Sequence, residues 1–179
     1  MDSKNSCTAV FPSHDLAESA IKPLQNIGID IKSISIIGKD YHTEEKVHGY
    51  YNTGDRVKFW GKNGMFWGSI WGILFGGAFL FIPGLGPVAV AGPLVQVIVG
   101  ALEGVVIGGG LGALGAALVS IGIPKDSIVN YETAIKADKF IMIVHGEDDL
   151  LNKAQDTLQE ISGVESVDLH RNNATQQSR

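Results

Sequence analysis

Charge is what the middle of this chain lacks. Residues 64–123 form a sixty-residue block with one charged side chain, Glu103. The flanking residues carry the charge density of an ordinary soluble domain. Cysteine is nearly absent: Cys7 stands alone, which excludes an internal disulfide and a Cys-based zinc site. A basic excess is also missing. The 14 Lys and Arg against 19 Asp and Glu give a net charge of −5, and a nucleic-acid binder needs the opposite sign to neutralise phosphates. No apolar h-region follows Met1, so no cleavable signal peptide is expected and the first half of the chain is expected to stay in the cytoplasm. Two features are abundant. Hydrophobic residues make up 45%, enough to exclude disorder. Glycine reaches 23, of which sixteen lie in the uncharged block.

Catalytic signatures are missing as well. No G-x-S-x-G elbow occurs, and Cys7 has no assignable base. Gly108-Gly109-Gly110-Leu111-Gly112 lies in an apolar run without the Lys-Ser/Thr of a phosphate loop. The residues therefore predict no enzyme, no catalytic residue and no cofactor. His42 and His48 share a polar stretch with Glu44 and Glu45, but the spacing fits no metal-ligand pattern. His145 precedes Glu147, Asp148 and Asp149, a group better suited to a helix N-terminus than to a metal.

Outside the block, one grammar is written twice. Residues 7–12 read as a strand, Ser13 and Asp15 as N-cap candidates, and Leu16, Ala17, Ala20, Ile21, Leu24 and Ile27 as a helical stripe closed by Gly28. Pro23 interrupts that helix at a cost. Residues 29–37 read as a second strand. The pattern returns as a strand over 139–145, a helix through Leu150, Leu151, Ala154, Leu158 and Ile161 closed by Gly163, and a strand over 164–169. Two β-α-β units predict an α+β fold, a ferredoxin-like sandwich with four antiparallel strands and two helices on one face. A connecting helix over 124–137 presents Ile128, Tyr131 and Ile135 on one side.

In the block, Gly64, Gly68, Gly72 and Gly76 recur every fourth residue, as do Gly100, Gly104, Gly108 and Gly112. On a helix each set forms a bare stripe that lets another backbone come close. Residues 64–82 and 93–120 are each long enough for a helix to cross a bilayer, and Pro83-Gly84-Leu85-Gly86-Pro87 turns between them. Arg56, Lys58, Lys62 and Lys125 flank the block, and Trp60, Trp67 and Trp71 cluster at its start, as at a membrane interface. The expectation is an apolar glycine-zipper helical hairpin interrupting the sandwich. The divisions are 1–63 (first half of the sandwich and a polar loop), 64–123 (hairpin), 124–171 (connecting helix and second half) and 172–179 (disordered tail). Glu103 would be a buried ionisable group, either ion-sensitive in an oligomeric pore or bonded to backbone or Gln96.

The runs Gly54–Lys62, Phe66-Trp67-Gly68, Trp71-Gly72, Pro83–Pro87, Ala91-Gly92-Pro93 and Gly122–Asp126 with Tyr131-Glu132 resemble the bacterial general stress protein 17M-like, or heat-induced stress protein, family. The resemblance implies a small sandwich domain flanking a glycine-zipper hairpin, a link to stress response and no catalytic residues. The expected function is a non-enzymatic, homo-oligomeric, membrane-associated protein. It would lie in the inner membrane with both termini cytoplasmic, its partners being itself and the lipid bilayer but no nucleic acid. Two alternatives are a self-assembling cytoplasmic scaffold with hairpins buried between subunits, and a domain that senses a ligand or partner.

Overall fold

The computed structural model describes residues 5–39, 78–104 and 112–171. Within them six strands form one antiparallel sheet and five helices cover it. The strands are β1 (Ser6–Phe11), β2 (Ile34–Lys39), β3 (Ala78–Ile82), β4 (Gly86–Ala91), β5 (Phe140–His145) and β6 (Ser166–His170). The helices are α1 (His14–Asn26), α2 (Leu94–Gly104), α3 (Ala113–Ser120), α4 (Lys125–Lys136) and α5 (Asp148–Gln159). The spatial order is β3-β4-β2-β5-β1-β6. β2 and β5 are central, and β5 pairs in turn with β1, Thr8 opposite Ile143 and Ala9 opposite Met142.

The repeated units form as their residues dictate. Ser13 is the N-cap of α1, its hydroxyl accepting from the Leu16 N–H at 3.3 Å. Pro23 is tolerated inside the helix. The Asp30 carboxylate accepts from the Lys32 N–H at 2.9 Å. That side-chain turn winds Ile31–Ser33 into a 3₁₀ turn, so β2 begins five residues later than the alternation suggests. α1 and α5 lie on one face of the sheet, over Cys7, Ala9, Phe11, Ile34, Ile36, Met142 and Val144.

The uncharged block departs from its expected form. Residues 78–82 and 86–91, read from sequence as helical or apolar pieces of a hairpin, are the paired strands β3 and β4. The turn between them is where the sequence puts it. Pro83 and Gly84 (φ +88°) occupy the centre of a type II turn, and the Leu85 N–H donates to the Ile82 carbonyl at 3.0 Å. β4 then pairs with β2, Ile37 opposite Val90, so the block extends the sheet. Gly92 (φ +86°) turns the chain into α2 against the backbone of β2, where an added Cβ would sit 2.2 Å from the Ile34 carbonyl oxygen. There the Leu94 N–H donates to the buried Ser35 hydroxyl at 3.1 Å. A strand side chain thus satisfies a helix N-terminus.

α2, α3 and α4 cover the second face, burying Leu94, Ile98, Leu114, Leu118, Ile128 and Ile135 over Ile37, Val88, Val90, Ile141 and Ile143. Both faces are therefore covered, where the sequence reading expected helices on one. The membrane expectation is corrected here. Among the described residues no helix is long and apolar enough to cross a bilayer. α2 has 11 residues and α3 has 8, against the roughly 20 that a span requires. The inner-membrane placement and the transmembrane helix lose their basis with it.

Candidate functional site

The second face of β1 is polar where the first is apolar. Ser6 and Thr8 point away from Cys7 and Ala9, by the alternation of a strand. Both hydroxyl side chains are 0% exposed, and neither oxygen makes a hydrogen bond. Buried hydroxyls without partners are costly and uncommon. Across the strand pairing, Ser6 lies opposite His170 and Thr8 opposite Asp168 of β6. On its other side Ser6 lies opposite His145 of β5. One row of the sheet therefore reads His145, Ser6, His170, and the next Ile143, Thr8, Asp168.

Tyr131 reaches this surface from α4. Its hydroxyl is 2.7 Å from His170 Nε2 and donates to Asp168 Oδ2 at 3.3 Å. The two rings meet edge to face at 5.9 Å. The Thr8 hydroxyl lies near enough to influence the phenol but not in the geometry of a made hydrogen bond. Burial, then the Asp168 carboxylate, holds the Tyr131 hydroxyl well above its ordinary pKa. The same two causes push the Cys7 thiol, on the far side of β1, up to about 12. Burial lowers His170, with Asp168 opposing, and burial lowers His145. At neutral pH the phenol thus keeps its proton and the two imidazoles are neutral.

Beside it opens a cleft of about 470 Å³ between α4 and the β1–β6 pair, lined by Val10, Asn130, Tyr131, Ala134, Ser166 and Asp168 among others. Lys139 and Glu165 stand at its margin, joined by an ion pair at 2.5 Å. The Glu165 N–H donates to the Val10 carbonyl at 2.9 Å, fixing the start of β6 against β1. The volume falls in the range of small-molecule sites. With its hydroxyl, amide and carboxylate groups the cleft can orient a polar ligand.

No protein-family model matches the chain, and no curated protein and no solved structure match it. The site therefore stands on its geometry.

The residues singled out from sequence lie elsewhere. Glu103, near the last described residue of α2, and Gln96, in its first turn, are both exposed. Solvent thus meets the carboxylate that the sequence reading buried. Among the described residues no atom comes within 4 Å of a Cβ added at Gly100. Gly104 lies in α2, whereas Gly112 is the extended N-cap of α3, so the second glycine set does not share one continuous helix. Gly64, Gly68, Gly72, Gly76 and Gly108, with His42, His48, Glu44 and Glu45, fall outside the described residues. Among the described residues no group of three His, Cys, Asp or Glu is placed to hold a metal. Sequence reasoning missed the polar row. Its signal was there: Ser6 and Thr8 alternate within an apolar strand, as do Ser166, Asp168 and His170, but alternation alone reads as a solvent face.

Proposed function

We propose that the chain is a non-enzymatic sensing domain that binds a small polar ligand in the cleft beneath α4. One observation carries this reading: two fully buried hydroxyls, Ser6 and Thr8, lie without partners under a Tyr131–His170 hydrogen bond at the side of a cleft of ligand size. The two hydroxyls lie on the same strand face as the lining residue Val10, and Thr8 is paired with the lining residue Asp168. Donors and acceptors left unspent next to a cleft cost stability, and binding is a return that offsets such a cost. The supporting scaffold reads as a ferredoxin-like sandwich, with β1-α1-β2 and β5-α5-β6 as its halves and β2-β5-β1-β6 as its strand order. The likeness to stress proteins gives the sensing a setting in stress response.

The test is a screen of polar metabolites against the full-length protein, by thermal shift and by NMR of the His170 and Tyr131 rings. A ligand that raises Tm and moves those ring signals is expected. A broad panel that leaves both unchanged rejects the reading.

Self-association is a second reading, favoured by a separate observation. Phe81 is 72% exposed on β3, the outer strand of the sheet among the described residues, and Val129 is 64% exposed on α4. An apolar strand at a sheet edge without charge or proline invites pairing. Light scattering should give a mass above 19.1 kDa, and Phe81→Lys should lower it. A monomeric wild-type protein rejects this reading.

A further inference from the structure

The charged groups of the cleft are unequal. Lys139 and Glu165 neutralise each other at the margin. Asp168 has no such partner: among the described residues no Lys, Arg or His nitrogen lies within 4.0 Å of its carboxylate. Its one hydrogen-bond neighbour is the uncharged Tyr131 hydroxyl, at a long 3.3 Å. The carboxylate is exposed and lines the cleft, so a ligand can reach it. Its field is felt by Tyr131 beside it and by Cys7 across the strand, as befits a charge that nothing nearby cancels.

Resting on the sensing reading above, we propose that the ligand is a small organic cation, a primary ammonium or guanidinium compound. Its N–H groups would donate to Asp168, its polar substituents to or from Asn130 and Ser166, and its carbon stem would lie along Val10 and Ala134. An anion is disfavoured, because Lys139 is already engaged and Asp168 repels it. A divalent metal is disfavoured, because it needs several oxygen ligands and the cleft offers one free carboxylate. An organic cation needs only that carboxylate plus apolar surface for its stem, and the cleft supplies both.

The experiment titrates full-length protein calorimetrically with agmatine, putrescine and ethanolamine, and in parallel with malonate, phosphate and magnesium. NMR of the Tyr131 and His170 rings locates each binding event. The amines should bind saturably at the cleft. Asp168→Asn should weaken them by about tenfold or more, the factor for losing a charge-assisted hydrogen bond. Lys139→Met, which frees Glu165, should tighten them. Circular dichroism of each variant checks the fold, and the Lys139→Met arm decides the matter if Asp168→Asn does not fold. Amine binding that Asp168→Asn leaves intact, or that Lys139→Met weakens, overturns the inference. Malonate, phosphate or magnesium bound at the cleft in place of amines overturns the ligand class and leaves the cleft reading standing. Absence of binding by all six probes overturns the cation inference, and the wider metabolite screen then decides the cleft reading separately.

Discussion

The two faces of the sheet are built by different means. One is covered by α1 and α5, each folded within a local β-α-β unit, α1 with the Ser13 cap and Gly28 just past its end, α5 ending at Gln159 with Gly163 in the turn that follows. The other is covered by α2, α3 and α4, which come from or follow the uncharged block. The first face is apolar along the whole of β1, through Cys7, Ala9 and Phe11. The second is apolar over β2, β4 and β5 but polar at the β1–β6 end, through Ser6, Thr8, Asp168 and His170. The locally encoded face supplies uniform core. The face covered from a distance supplies both core and cleft, because α4 reaches the β1–β6 end chiefly through Tyr131.

Four perturbations test that contrast. The largest effect is expected at Gly92, where the block is pressed onto β2. Gly92→Val adds a side chain at positive φ and drives it into the Ile34 carbonyl. A loss of about 3–4 kcal/mol in urea unfolding is expected, the sum of left-handed strain and overpacking. Next are matched truncations of the two cores. Ile98→Ala on the second face and Leu24→Ala on the first, both 0% exposed, should each cost about 3 kcal/mol. A cost below about 1 kcal/mol for Ile98→Ala alone would show that the block only rests on the sheet.

Smaller effects are expected in the polar row. Tyr131→Phe strips His170 of its partner and should cost about 1–2 kcal/mol, with no counterpart among apolar substitutions on the first face. The smallest effect is a pH dependence. His145 and His170 have folded pKa values lowered by burial. The unfolded chain therefore takes up protons first as pH falls below about 6.5, and stability is full above that pH and lost as pH falls through the folded values. The slope is at most about 1.4 kcal/mol per pH unit for each histidine, and His170→Asn should flatten it. Cys7 acts with the opposite sign. Its raised pKa keeps the buried thiol protonated, so stability declines as pH rises from about 9 toward 12, and thiol reagents should label Cys7 only on unfolding.

The legibility of the sequence follows the same division. α1, α4 and α5 are legible because apolar residues recur at helical spacing against polar ones, as Ile128, Tyr131 and Ile135 do against Lys125, Asp126 and Glu132. Inside the block that contrast vanishes. Ala78–Ile82 and Gly86–Ala91 are apolar throughout apart from turn residues, and a uniformly apolar run does not say whether its period is 2 or 3.6. Only partnership with β2 decides it. Glycine spacing misleads for a related reason: Gly100, Gly104 and Gly112 fall on one stripe only if a single helix carries all three, and Gly112 is the extended N-cap of α3. The cleft was illegible because it joins β1, β6 and α4, and Thr8 and Asp168 stand 160 residues apart in a pairing that the sequence does not write.

β2 is hydrogen-bonded to β5 along one side and to β4 along the other, and Ser35 on the same strand holds the start of α2. The uncharged block consequently cannot behave as a detachable cassette. Excising it would turn β2 into a raw margin and bare Ile37, Ile141 and Ile143 to water. A shortened version that retains both β-α-β units should therefore aggregate or stay unfolded, and any lengthening tolerated by this architecture belongs in its turns, such as the one at Pro83-Gly84.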